Sequence, residues 1–232
     1  MKNITLSQLV RNHPIATIFL NEKNIDYCCG GGDNLYQAIE NKNYKVDTFL
    51  AELESYLEKE EAKINAPIGE ELYSMDVASL IAHLENTHHR DERILISNVE
   101  EKLTTILSVH YTHHKEELIK VFKLFSDLKK ELLVHFVQEE KEVFPLMMNT
   151  KTTDSLSKIE ALEAEHEAAG DIIKELIKVT DNFTAPKDGC LTYKATYAIL
   201  KQLVEDIFIH IYKENNILFE RYKKDLENEK TN

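Results

Sequence analysis

Tryptophan is absent from the 232 residues, and glycine and proline are scarce, at six and four. Sheet proteins turn often and need such residues, so this scarcity argues against a sheet architecture and for long helices with few connections. Three cysteines, two of them adjacent, make no disulfide framework, which predicts a reducing, cytoplasmic setting. Positive charge is short as well. The formal net charge is −13 and no basic stripe interrupts it, which excludes nucleic acid and anionic membrane as main partners. No apolar run approaches the roughly 20 residues that span a bilayer. The longest near the N-terminus, Ile15 to Leu20, follows His13-Pro14 and does not read as a signal-peptide core.

What is present is helical periodicity. Residues 1–65 read as a small helical N-terminal domain with vicinal cysteines. Its apolar sets are Leu6, Leu9 and Val10; Ile15, Ile18, Phe19 and Leu20; Leu35, Ala38 and Ile39; and Phe49, Leu50, Leu53 and Leu57. Between the second and third sets come Cys28-Cys29 and three glycines, which break any helix and permit unusual backbone angles. Residues 65–69 form the best linker. Residues 70–228 then read as four amphipathic helices: 76–107, with Ser74 or Asp76 as cap; 115–148; 154–180, with Asp154 or Ser155 as cap; and 191–226. The polar stretch 109–114, a turn at 149–153 and a loop at 182–189 separate them, and 227–232 should fray. Four such helices make an antiparallel four-helix bundle, an all-α protein.

Two stretches of this bundle repeat one pattern, H-x3-E-x4-F: His135, Glu139 and Phe144, then His210, Glu214 and Phe219. An i, i+4 spacing puts imidazole and carboxylate on one helix face, about 40° apart. That face is otherwise apolar, and hiding such groups from water needs compensation. A metal ion supplies it. The other two helices each add a histidine to the apolar stripe: His166 on the third, and His88 or His89 on the first. The sum is four His and two Glu, one set per half-bundle. Mixed imidazole and carboxylate donors suit iron, with manganese the second choice, and no thiolate is placed for a structural zinc.

Periodicity alone selects His88 over His89, since His88 continues Leu80-Leu84 by four. Gly170, one turn after His166, reads either as room for the ions or as a close helix contact. Adjacent Cα atoms lie about 3.8 Å apart, closer than disulfides usually allow, so Cys28 and Cys29 suit redox exchange or transient metal capture, or else a buried pair closing the domain. Cys190 opens the last helix after Gly189 and reads as structural, with a lowered thiol pKa at a helix N-terminus as the alternative.

These residues resemble the iron–sulfur cluster repair di-iron proteins, the RIC family, over nearly the whole length. The resemblance is carried by Asp26-Tyr27-Cys28-Cys29-Gly30-Gly31; His135 with Glu139-Glu140 and Phe144-Pro145; Glu165-His166-Glu167 with Ala169-Gly170; and His210 with Glu214-Asn215-Asn216 and Leu218-Phe219. It implies a small N-terminal domain followed by a haemerythrin-like bundle. It implies two non-haem iron ions ligated by His89, His135, His166 and His210 and bridged by Glu139 and Glu214. His88 is then a competing ligand or a residue behind the ligands, and Glu165 tunes the site. The family carries histidines where His110 and His114 stand. The implied function is repair of clusters damaged by nitric oxide or peroxide through iron supply. The alternatives are nitric oxide reduction at the irons and a redox or oxygen sensor. Implied partners are damaged iron–sulfur cluster proteins, small ligands such as nitric oxide or oxygen, and a second copy in a homodimer.

Overall fold

The computed structural model of the chain describes residues 3–60, 68–149 and 153–230. Most of the expected linker at 65–69 and of the expected turn at 149–153 lies outside them. The chain divides into two compact units, Met1–Leu80 with Phe208–Asn232, and Ile81–Ile207.

The first unit opens with α1 (Leu6–Asn12), α2 (Ala16–Glu22), α3 (Leu35–Asn41) and α4 (Val46–Glu60). Each short helix is fixed by a local device. Thr5 and Gln8 satisfy one another's backbone N–H groups in a capping box, and the Asn34 side chain accepts from Tyr36 and Gln37. The apolar sets read from the sequence supply most of the core, with Leu6, Leu9, Val10, Leu20, Leu35, Ile39 and Leu53 fully buried, whereas Ile18 of the second set faces outward and Ala16, on the opposite side of that helix turn, is buried instead. A 3₁₀ turn, Glu70–Ser74, brings Tyr73 to the C-terminal part of the same unit. Its hydroxyl donates to that of Tyr212, which donates in turn to the Ser7 carbonyl (3.1 and 3.2 Å). Tyr27 packs on the rings of Phe208 and Tyr212.

The second unit holds the bundle. α5 (Val77–Leu84), with Asp76 accepting from the Ser79 N–H as its cap, leads through a π turn (Glu85–His89) into α6 (Arg90–Gln138). A straight helix of that length would run about 70 Å. It does not run straight: residues nearly equidistant from His114 pair across, Glu100 with Lys129 and His89 with Glu140. α6 is therefore a hairpin of two antiparallel arms that reverses at His114, its one residue with non-helical angles (φ −126°, ψ 27°). The stretch 109–114, expected as a break, is helical up to that residue. It contains no glycine or proline, and its polarity marks an exposed tip rather than an end of helix.

A second π turn (Glu139–Val143) and α7 (Phe144–Asn149) complete the second arm. α8 (Thr153–Val179) runs back along it, with Lys120–Glu175, His135–Glu165 and Lys158–Glu142 pairs marking the antiparallel register. α9 (Leu191–Lys213) lies against the first arm, with His110–Cys190 near one end and His88–Asp206 near the other. A third π turn (Glu214–Leu218) and α10 (Phe219–Lys230) close the chain. No helix among the described residues is long and apolar enough to cross a membrane.

The glycine run after the cysteines does not serve the expected purpose: no described glycine has positive φ. Gly30 is needed for space, because a Cβ there would stand 2.7 Å from the Asp26 carbonyl oxygen, a backbone atom that cannot step aside. A Cβ on Gly32 meets nothing within 4 Å. Gly30→Ala is therefore expected to destabilise the fold by about 1–3 kcal/mol, while Gly32→Ala stays within about 0.5 kcal/mol. Urea unfolding followed by circular dichroism measures the difference.

Candidate metal centre

Each π turn falls on a residue singled out by its chemistry. His89 is the last residue of the first, Glu139 the first of the second, and Glu214 the first of the third. A π turn closes i to i+5 bonds and admits one extra residue, which advances every side chain beyond it around the axis. That resets the phase on the first arm. Leu84 and His89 are five residues apart and are both buried, so the four-residue count from Leu84 to His88 does not carry through the turn. His88 is buried too, but it turns to Asp206 and Glu92, with Nδ1 2.8 Å and 4.0 Å from their oxygens. His89 turns to the second arm.

Around Glu139, which has no exposure, the donors of the second unit converge. Its Oε2 lies 3.3 Å from Nε2 of His89 and 3.3 Å from Nε2 of His135. His166 places its own Nε2 3.2 Å from that of His135. The outer nitrogens are held from behind. His89 Nδ1 meets Glu140 Oε1 at 2.9 Å, and His135 Nδ1 meets Glu165 Oε2 at 2.9 Å. Glu165 is held below the usual carboxylate range by the His135 hydrogen bond. For Glu140, burial pushes upward, but hydrogen bonds from His89 and Arg93 together outweigh it and keep the group low. Ionised carboxylates fix the proton on each Nδ1 and turn each Nε2 lone pair inward. A lone pair then faces an acceptor-only carboxylate, an arrangement that a cation between them stabilises. Imidazole and carboxylate donors of this kind fit iron or manganese. Phe136 and Phe144 stack on the His89 ring at 4.7 and 5.9 Å. Gly170 is buried, and a Cβ on it meets nothing within 4 Å, so it marks open space rather than a close helix contact.

His210 and Glu214 belong to the first unit, where Nε2 and Oε1 lie 3.1 Å apart, both groups buried. The Asn215-Asn216 pair that follows serves the cysteine loop: both side-chain amides donate to the Cys28 carbonyl, at 3.5 and 3.3 Å. Cys28 and Cys29 are free thiols with sulfurs 3.9 Å apart. Asp26 Oδ1 accepts from Cys28 Sγ and from the Cys29 and Gly30 N–H groups. Burial, ahead of the contacts with Cys29 and Asp26, pushes the Cys28 thiol well above its ordinary value.

Sequence reasoning did not identify Arg93 and Glu140 as the groups behind His89, nor Asp206 and Glu92 as partners of His88. One signal was present for Asp206, which lies one helical turn before His210. At the far end of the bundle His114 meets both oxygens of Asp188 at 3.1 Å, and His110 Nε2 lies 3.2 Å from Cys190 Sγ. The His110 contact, aided by the Tyr193 backbone N–H at the start of α9, lowers the exposed Cys190 thiol to about 7. Its alkylation by iodoacetamide is expected to rise through pH 7 and level off above it, as the thiolate fraction does. His110→Ala should move that inflection upward, and peptide mapping separates Cys190 from the buried Cys28.

Sequence comparison agrees with this geometry. A profile described as the hemerythrin HHE cation binding domain matches residues 80–222, and one described as a domain of unknown function matches residues 2–57. Over 216 residues, 93% of this chain and 94% of the relative, the chain is 30% identical to the iron-sulfur cluster repair protein YtfE of Enterobacter sp. (strain 638). The proteins of the same name from Escherichia coli O81 (strain ED1a) and Shigella boydii serotype 4 (strain Sb227) are 31% and 30% identical over the same shares. The matched range takes in both His–Glu pairs, and the chain belongs to the hemerythrin HHE cation binding domain family.

Proposed function

We propose that this protein takes part in the repair of damaged iron–sulfur clusters by supplying iron from a labile di-iron centre. Its ligands are His89, His135, His166 and His210, with Glu139 and Glu214 as bridges. The observation that carries the reading is the arrangement at Glu139, where one buried carboxylate oxygen stands equally far from two inward-turned imidazole nitrogens. The second H-x3-E motif offers the same pair of donors, and a single family profile takes in both motifs. The repair role is taken from the relatives' name, which applies to proteins matched almost end to end. The partners in this reading are proteins carrying damaged clusters.

Two irons held there supply one-electron redox chemistry and a releasable store of metal. The protein's own residues do the rest. Glu140 and Glu165 orient the imidazoles, Arg93 anchors Glu140, and the stacked Phe136 and Phe144 screen His89 from water. The Glu165 side chain is 38% exposed, so the support behind His135 reaches solvent while the donors stay buried. Donors backed by a solvated carboxylate hold a metal less rigidly than a fully enclosed set, which suits an ion meant to leave.

Protein purified without oxygen is expected to contain two irons per chain by elemental analysis, and His135→Ala or His210→Ala is expected to lower that content. Glu165→Gln keeps the shape but removes the charge behind His135, and should weaken iron retention against a chelator by about 10–100-fold. For the repair role, a dehydratase inactivated by nitric oxide should regain activity with the iron-loaded protein and not with the metal-free one. Equal recovery with both would remove iron supply from the account.

A further inference from the structure

The second unit holds a further gathering of metal-ligating side chains that the six proposed ligands do not include. His88 Nδ1 lies 2.8 Å from Asp206 Oδ2 and 4.0 Å from Glu92 Oε1. One ligand atom from each of the three lies within 4.8 Å of the others. His88 and Glu92 are buried, Glu92 completely, whereas the Asp206 side chain is 30% exposed. The His83 ring borders the group, 6.3 Å from that of His88.

Gathering two carboxylates and one imidazole in a largely buried place carries a desolvation cost. A divalent ion offsets it. Octahedral metal bonds of about 2.1 Å hold neighbouring ligands about 3.0 Å apart and opposite ones about 4.2 Å apart, and the two distances from His88 Nδ1, the shorter of them a hydrogen bond to Asp206, are close to those values. Two oxygens with one imidazole and no thiolate suit iron(II) or manganese(II) better than zinc. Three protein donors leave positions for water, so a held ion exchanges readily.

We propose that His88, Glu92 and Asp206 form a further cation site, a solvent-facing staging post for iron(II) moving into or out of the buried centre. Two placements support the staging role. His88 directly precedes the proposed ligand His89, and Asp206 lies one turn before the proposed ligand His210 in α9. Exposure falls from Asp206 to the buried His88 and Glu92, so the group opens outward. The staging role rests on the di-iron reading; the cation site does not.

The test uses the full chain, purified without oxygen and loaded with iron. Manganese(II) is titrated in, and the free ion is followed by its electron paramagnetic resonance signal. One manganese per chain beyond the resident iron is expected. The near-isosteric pair Asp206→Asn and Glu92→Gln should weaken that binding by about tenfold or more with the iron content kept. No manganese bound by the parent protein, or equal binding by parent and variant, overturns the site. Iron transfer to a ferrous chelator should slow by a similar factor in Asp206→Asn alone, and an unchanged rate beside lost manganese binding overturns the staging role. Iron well below two per chain in the parent counts against the di-iron reading only, because the manganese difference between parent and variant is still read.

Discussion

A carboxylate with no exposure to water dominates the second unit. Removing Glu139 from solvent carries a penalty of several kcal/mol even after relaxation, and the side chains that its carboxylate meets in this unit are the imidazoles of His89 and His135. Imidazoles alone offset that penalty only by taking up protons, and the glutamates behind His89 and His135 hold those protons on the outer nitrogens. The inner nitrogens are left as acceptors facing an acceptor. A cation placed between such groups stabilises the arrangement.

The three π turns show how a helix aims such a group. A regular helix that buries Leu84 would bring His88 inward and turn His89 aside. With one extra residue in the turn both are buried, His88 toward Asp206 and His89 toward the second arm, and the same device falls on Glu139 and Glu214. Each π turn weakens regular helical bonding, and each begins or ends on a buried histidine or glutamate.

Much of this was legible in residues. The apolar periods located α1 to α4, α8 and the start of α9, because burial of one face is a property of sequence. The duplicated H-x3-E pattern located two buried imidazole–carboxylate pairs, because its spacing has one geometric meaning on a helix. The different surroundings of His88 and His89 were not legible by counting, since the four-residue count assumes an unbroken helix. A trace of the answer did exist: Glu139 to Phe144 and Glu214 to Phe219 are five-residue steps, the span of a π turn. The reversal at His114 was legible in the polar stretch 109–114 but its residue was not, because one residue with altered angles needs neither glycine nor proline. The groups behind the donors, Arg93 and Glu140, lie on different helical arms and meet only through the hairpin.

The thiols follow the same division between what a motif announces and what its surroundings allow. Cys28 stands in the conspicuous Asp26-Tyr27-Cys28-Cys29 element, yet burial and the neighbouring Asp26 hold it as a neutral thiol, and the two asparagines of the second metal motif anchor its carbonyl. That places Cys28 with the packing of the loop and leaves Cys29, which is partly exposed, as the thiol of the pair that meets solvent. Cys190 has no motif around it, only a histidine from the hairpin tip and the first N–H groups of α9, and those are what a thiolate needs. Reactivity in this chain is set by what surrounds each sulfur: burial and Asp26 at Cys28, His110 and the first N–H groups of α9 at Cys190.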